Sequence, residues 1–173
     1  IAPVVEFTLT DNQGNPVVGM ETVTSTGDGR GATFANGVKQ YPNLAFAMAK
    51  LMPRTDTTPA PWVSYIVTSV NATTGAITAG RPGTDNQGRL EAVSGSPGRY
   101  RYTFIRDVPG TQAIIDGLTY TGNNRKADLG DLTWAPTLPH RLTIQIGGAA
   151  PGTGSNTSNG VQTTAAVNMA NPV

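Results

Sequence analysis

The strand pattern that decides the fold is Arg99-Tyr100-Arg101-Tyr102-Thr103-Phe104-Ile105-Arg106. Aromatic side chains occupy alternate positions from Tyr100 to Phe104, and arginine or threonine fills the positions between them. Successive side chains of a β-strand point to opposite faces, so the pattern predicts a strand with one buried aromatic face and one solvated basic face. Asp107-Val108-Pro109-Gly110 follows and is expected to end the strand.

Short apolar runs bounded by turn residues recur along the rest of the chain. The run that begins at Leu44 contains alanines that would suit a helix, but its alternation and its short length favour a strand. Thr111–Tyr120 is left open between a helical turn and a short strand. Further strands are predicted at Val4–Thr10, Leu44–Met52, Trp62–Val70, Arg89–Val93, Arg141–Ile146 and Val161–Met169.

Long loops rich in glycine, threonine and serine separate these runs. They are predicted at Thr24–Gly37, Asn71–Gly88 and Gly147–Gly160, the last being a flexible Gly/Ser/Asn-rich loop before a final strand. About seven to nine short strands with little helix indicate an all-β fold. A two-layer β-sandwich or a barrel buries so many one-faced strands in one domain, so residues 1–173 are interpreted as a single β-domain.

Composition excludes several classes of function. The chain has 21 glycines and 13 prolines, only 13% charged residues and a formal net charge of +1. This balance does not favour nucleic-acid binding or a coiled coil, and no apolar run approaches a membrane span. The absence of cysteine excludes disulfides, thiolate metal sites, cysteine nucleophiles and covalent c-type haem within these residues.

The only histidine of the chain is His140, so a multi-histidine metal site is impossible and a Ser-His-Asp triad would need this residue. No nucleophile-elbow context accompanies it. We expect a structural or merely exposed role; the alternative is an in-trans contact with haem iron or a metal on another polypeptide. No catalytic, cofactor-binding or metal-binding residue is therefore assigned, and the segment is not expected to be an enzyme.

Arg99 and Arg101 share the solvated face of their predicted strand. Two arginines on such a face are usually only solvated, and the alternative is a docking patch for carboxylates such as haem propionates or an acidic partner. Trp62 and Trp134 are expected in the core or at its edge, with sugar or partner binding as the alternative. The oxygen-rich stretches Asp11–Asn15 and Asp85–Gly88 are interpreted as turns, and Ca²⁺ loops are the alternative.

Four segments of the chain, in order, resemble the haemless N-terminal β-domain of outer-membrane multihaem c-type cytochromes of the MtrC/OmcA type. The first looks like the opening strand and turn of that domain, the second like a strand ending in Ala-Lys-Leu, and the third like a Gly-x-Tyr-x-Tyr-x-Phe strand. The fourth resembles the segment that closes the domain. They are residues 4–17, 44–51, 98–104 and 134–146.

The resemblance implies an Ig-like β-sandwich or a split Greek-key barrel that carries no haem and precedes haem-bearing segments. In the family, Cys-x-x-Cys-His motifs would follow a segment such as Asn171-Pro172-Val173. Haem c is thus expected on adjoining segments or on a partner chain. The family's electron-transfer residues are haem ligands, and no position of this sequence matches them.

The leading functional hypothesis from the resemblance is a scaffold and docking domain in extracellular electron transfer, at the outer-membrane surface. Its expected partners are the haem-bearing domain or subunit of the same cytochrome and neighbouring copies in a filament. Neither nucleic acid nor a membrane span is expected. The alternative is a structural or adhesive β-module of a cell-surface protein that binds glycans or proteins.

Overall fold

The computed structural model describes residues 2–22, 24, 40–41, 44–71, 74, 76–120, 128–146 and 163–169, with Val70 and residues 163–169 described as backbone only. Nine strands and one α-helix lie in these ranges, which confirms the all-β class. The helix, α1, is Thr111–Gly117, and Met20–Thr22 forms a short 3-10 turn. The strands are β1 Val4–Thr8, β2 Leu44–Leu51, β3 Trp62–Ser64, β4 Thr68–Val70, β5 Ile77–Ala79, β6 Arg89–Ala92, β7 Arg99–Thr103, β8 His140–Ile146 and β9 Thr163–Met169.

Two antiparallel sheets form the layers of a sandwich. One has the strand order β1-β7-β6 and the other β3-β2-β8-β9, while β4 and β5 form a separate two-stranded ribbon. Neither sheet closes on itself in the part of the chain that the structure describes. The fold is therefore a β-sandwich with open sheets rather than a barrel.

The core lies between the inner faces of the two sheets. The β2 side chains alternate as the sequence predicts, with Leu44, Phe46 and Met48 buried. The Phe46 ring stacks on Tyr102 of β7, with centroids 3.8 Å apart and planes 9° apart. Phe7 of β1 packs against the same core, with its ring centroid 5.6 Å from that of Phe46. Aromatic packing therefore joins the first and seventh strands to the second.

The prediction of one continuous strand over Trp62–Val70 is wrong. Its first part, β3, pairs with β2, and its last part, β4, pairs with β5 in the ribbon. Tyr65, Ile66 and Val67 are buried one after another, which a half-buried strand does not allow. The chain passes here from the four-stranded sheet to the ribbon, and the high β propensity of the whole run hides the change.

Other predicted boundaries also change. β7 ends at Thr103, although the Phe104 amide still donates to the Pro3 carbonyl (3.0 Å) in the β1–β7 register. Two residues later, Arg106 pairs with the buried Asp85. The predicted loop over residues 71–88 contains β5. Of the two alternatives for residues 111–120, the structure has the helix. The predicted loops at 24–37 and 147–160 lie outside the described residues except for Thr24.

Helix α1 packs through Ile115 into a second, smaller apolar cluster. This cluster also contains Val63, Val67 and Leu132, all buried. It sits beside the main core and anchors the segment that leads into β8. The position of that segment determines the environment of His140.

Candidate functional site

The predicted basic face exists, and it contains an acidic residue that the sequence reading missed. Glu6 of β1 lies opposite Arg101 in the β1–β7 register. Its Oε1 accepts hydrogen bonds from Arg101 Nε (2.8 Å) and Nη2 (2.5 Å), and its Oε2 accepts one from Arg99 Nη2 (2.6 Å). These contacts, first with Arg101 and then with Arg99, hold the pKa of Glu6 below its usual value.

The arginine side chains of this face remain about half exposed, at 49% for Arg99 and 52% for Arg101. On the neighbouring strand Arg89 pairs with Glu91 at 3.1 Å. The face therefore presents alternating charge and not a purely basic patch. The pairing of β1 with β7 spans more than 90 residues, so only the long-range strand order could have revealed the role of Glu6.

His140 has no exposed surface, so the suggestion that it is merely exposed is wrong. Its ring stacks with Tyr65 (centroids 5.9 Å apart) and packs against Trp134 (5.0 Å). Its Nε2 is 3.5 Å from the Tyr65 hydroxyl. Burial lowers the pKa of His140, and the nearby Lys50 charge acts in the same direction, so the neutral imidazole is favoured. An iron on another chain has no exposed edge of this ring to bind.

Lys50 of β2 is the register partner of His140 and has no exposed surface. Its ammonium donates a 2.5 Å hydrogen bond to the Thr133 carbonyl and forms a 3.2 Å ion pair with Asp131. The sequence held a signal for this, because strict alternation from Leu44 places Lys50 on the buried face. Lysine is so seldom buried that its position was not interpreted in this way.

The two Asp-Asn-Gln-Gly turns have different environments. The aspartate of neither turn is arranged to bind a cation. Asp11 accepts hydrogen bonds from the backbone of Gln13 and Asn15 and from the Asn15 side chain, which makes it a self-contained turn. Asp85 is fully buried and pairs with Arg106 at 2.9 Å. Within the described residues, no group of three histidine, aspartate or glutamate side chains is placed to hold a metal.

Asp85 instead connects the two sheets. Its backbone exchanges hydrogen bonds with Phe46 of β2 in both directions, at 2.7 and 2.8 Å. Its carboxylate accepts a hydrogen bond from the Tyr102 hydroxyl of β7. The same hydroxyl accepts one from the Gly88 amide at 2.9 Å. The cluster of Asp85, Tyr102 and Arg106, which we call the inter-sheet clasp, is structural in character.

The two tryptophans occupy different positions. Trp134 packs on the core beside Tyr65, as expected for a structural residue. Trp62 is 38% exposed at the edge of the four-stranded sheet, and the Arg141 guanidinium lies over its ring at 4.3 Å. Trp62 and Arg141 line a shallow groove with Ala47, Ala49 and Thr143.

Comparison with known proteins gives a fold but no sequence family. No family model matches the chain, and no curated protein matches it. Among solved structures, the crystal structure of the outer membrane decaheme cytochrome OmcA matches over 98% of this chain with a TM-score of 0.51 and 17% identity. The chain shares its fold with part of a decaheme cytochrome. The crystal structure of MtrC from Shewanella baltica OS185 matches over 98% of the chain with a TM-score of 0.49 and 19% identity.

The chain spans only 22% of the OmcA chain and 20% of the MtrC chain. The likeness to OmcA confirms the predicted resemblance at the level of the fold. Because the chain contains no cysteine, it cannot hold c-type haem through thioether bonds. The helix in the described residues is seven residues long, and none there is long and apolar enough to cross a membrane.

Proposed function

We propose that this chain is a haemless scaffold and docking domain of a multihaem cytochrome that takes part in extracellular electron transfer at the outer-membrane surface. The observation that carries the proposal is the sandwich shared with part of OmcA along 98% of a chain that has no cysteine. In this arrangement haem c sits on adjoining segments or on a partner chain. The domain itself has no catalytic role.

The stiffness of the sandwich suits a scaffold. Electron transfer between cofactors depends on fixed spacing, and a close-packed interior has low compressibility. The inter-sheet clasp and the aromatic stack of Phe46 on Tyr102 fix one sheet on the other. A domain built in this way can hold haem-bearing neighbours at a constant separation.

The docking surface in this proposal is the outer face of the sheet β1-β7-β6. Arg99 and Arg101 hold a carboxylate there, that of Glu6, so their guanidinium groups have the spacing that carboxylate recognition needs. Exposed ion pairs are weak. A partner carboxylate or a haem propionate can therefore replace Glu6 at small cost.

Assembly with neighbouring copies in a filament is the further part of the proposal. The edges of the described sheets are strands β1 and β6 in one sheet and β3 in the other, together with β9. Edge strands offer backbone groups for pairing with another chain. Val4 of β1 is also an exposed apolar side chain at such an edge.

The first experiment is an intact mass of the natively purified protein together with a reduced-minus-oxidised visible spectrum. We expect a mass well above the 18.0 kDa of this chain and c-type haem bands, or a haem protein that copurifies with it. A mass near 18.0 kDa, no haem bands and no haem partner would reject the proposal.

The docking face is tested by measuring the affinity of the chain for that cytochrome partner at several salt concentrations. Replacing Arg99 and Arg101 together by Gln should weaken binding and flatten its salt dependence. Glu6→Gln should strengthen binding, because it removes the internal competitor. The matched control replaces Arg54 and Arg81 together by Gln, because both are exposed, lie outside this sheet and give the same change in formal charge. Equal losses of affinity in the two double variants would show that only net charge matters.

A second candidate function is a surface module that binds glycans, and the observation that favours it is the exposed ring of Trp62. Aromatic rings at a sheet edge can stack on the apolar face of a sugar. Because Arg141 covers one part of this ring, less of it is free for such stacking. Saturable quenching of Trp62 fluorescence by an oligosaccharide, absent in Trp62→Phe, would favour this function over the cytochrome domain.

A further inference from the structure

A short segment before β8 covers the buried cluster around His140. Residues 133–138 are anchored at both ends: Leu132 is buried in the second apolar cluster, and the Pro139 carbonyl accepts a 2.9 Å hydrogen bond from the Leu51 amide. We call residues 133–138 the strap. Its first two residues contact the sheet: Thr133 accepts a hydrogen bond from Lys50 of β2, and Trp134 packs on His140 of β8.

Side-chain hydrogen bonds and ring packing join the strap to the sheet. The Lys50 ammonium donates to the Thr133 carbonyl, and the Ala135 amide donates to the Tyr65 hydroxyl at 3.3 Å. The Trp134 ring packs on His140 and Tyr65. By contrast, β2 and β8 are held together by a ladder of seven residue pairs. The strap can therefore detach while the sheet remains intact.

The charges around His140 make the strap sensitive to acid. Lys50 faces it from β2, the neutral hydroxyl of Tyr65 faces it from the segment after β3, and Asp131 lies just before the strap. On the β9 side its register partner is the uncharged Met169. Asp131 is 51% exposed and is already paired with Lys50, so a second buried cation would have little compensation.

We propose that residues 133–138 are an acid-released strap, which opens when protonation of His140 places a second positive charge beside the buried Lys50. Opening lets water reach the imidazolium and separates Trp134 from the ring. The two sheets stay folded. Acidic surroundings would thus expose a new surface at this end of the sandwich.

The direction of the pH dependence follows from burial. The pKa of His140 is lowered in the closed structure, whereas in the open one it returns toward its ordinary value of 6.5. The closed strap is fully stable above that ordinary value and loses stability as pH falls toward the lowered pKa. Within that window the ratio of open to closed strap should rise about tenfold per pH unit.

The experiment uses the full chain carrying Trp62→Phe, so that Trp134 is the only tryptophan. Its emission, the hydrogen-exchange protection of the Ala135 amide and the far-UV circular dichroism are followed from pH 8 to pH 4. We expect a red shift of Trp134 emission and a loss of Ala135 protection below the ordinary pKa of histidine. The circular dichroism should stay constant over the same range.

His140→Gln in the same background should remove the transition. Lys50→Met, which keeps the histidine, should make the transition smaller because the closed strap then tolerates the imidazolium better. If either variant fails to fold, the NMR titration of His140 in the parent chain still decides, because it is the only histidine. The proposal is overturned if the transition persists in His140→Gln, if it coincides with loss of circular dichroism, or if His140 titrates without any change at Trp134.

Discussion

Removing one hydroxyl group from the inter-sheet clasp should destabilise the whole sandwich. Tyr102 lies in β7 with no exposed surface, and its hydroxyl donates to the Asp85 carboxylate while accepting from the Gly88 amide. Burial and the Asp85 charge raise the pKa of Tyr102, so the hydroxyl keeps its proton and remains a donor. Tyr102→Phe removes both hydrogen bonds and leaves the ring stack on Phe46 in place.

The magnitude follows from the two lost hydrogen bonds. A hydrogen bond to a charged acceptor contributes about 1.5–3 kcal/mol, and a part-buried amide left without a partner costs about 1–3 kcal/mol. The Asp85 carboxylate keeps its ion pair with Arg106, which limits the loss. We expect the free energy of unfolding to fall by about 3 kcal/mol. With a urea m-value of about 2 kcal/mol/M, this moves the midpoint by roughly 1.5 M.

The assay is urea unfolding followed by tryptophan emission, with Asp85→Asn and the double variant measured beside Tyr102→Phe. Asp85→Asn alone leaves Arg106 buried without its partner charge and should cost about 3–5 kcal/mol. The two changes should be coupled by more than about 1 kcal/mol, since both alter the hydrogen bond between Tyr102 and residue 85. A midpoint shift in Tyr102→Phe below the measurement error, or strictly additive effects, would refute the role of the clasp.

Three further predictions test the packing, a close backbone approach and the surface charges. Phe46→Ala should lower the free energy of unfolding by about 3–5 kcal/mol in urea, and retention of wild-type stability would contradict the assigned core. Gly88→Ala should cost on the order of 3 kcal/mol, because a Cβ there would collide with the Thr103 carbonyl oxygen. Gly80→Ala, where a Cβ meets nothing within 4 Å, is the control for glycine loss. The pKa of Glu6 is lowered, so its pairing with arginine stabilises the fold above pH 4.5, and this stabilisation is lost as pH falls through the lowered pKa. Glu6→Gln should remove this part of the acid dependence of stability. High salt should weaken it in the same way.

Alternation identified the strands whose one face is buried and whose other face is exposed. β2 and β7 follow the predicted pattern because each belongs to a sheet with one face on the core and the other face toward solvent. Alternation failed for residues 62–70, where Tyr65 to Val67 are buried consecutively as the chain moves from one sheet to the ribbon. A run of β-branched and aromatic residues has the same composition in a strand and in such a crossing, so local sequence does not separate the two.

The candidate sites were harder to predict because they depend on contacts between distant parts of the chain. The sequence placed Arg99 and Arg101 on one face, but Glu6 reaches them only because β1 pairs with β7. The buried position of Lys50 could be derived from the β2 alternation, whereas its partner Asp131 belongs to a loop with no periodic pattern. Periodicity predicts on which face of a strand a residue lies. Predicting which residue it pairs with requires the topology of the sheets.

The distribution of charge connects the fold to the proposed role. Asp85 pairs with Arg106, and the buried Lys50 pairs with the half-exposed Asp131. The exposed arginines of β7 instead pair with the Glu6 carboxylate, which an incoming partner replaces in the proposed role. Buried pairs resist salt and exposed pairs do not. Raising the salt concentration should therefore weaken docking through Arg99 and Arg101 long before it affects the stability of the domain. If salt lowered the docking affinity and the free energy of unfolding in parallel, the same charge pairs would support docking and the fold. The separation of scaffold from docking surface would then not hold.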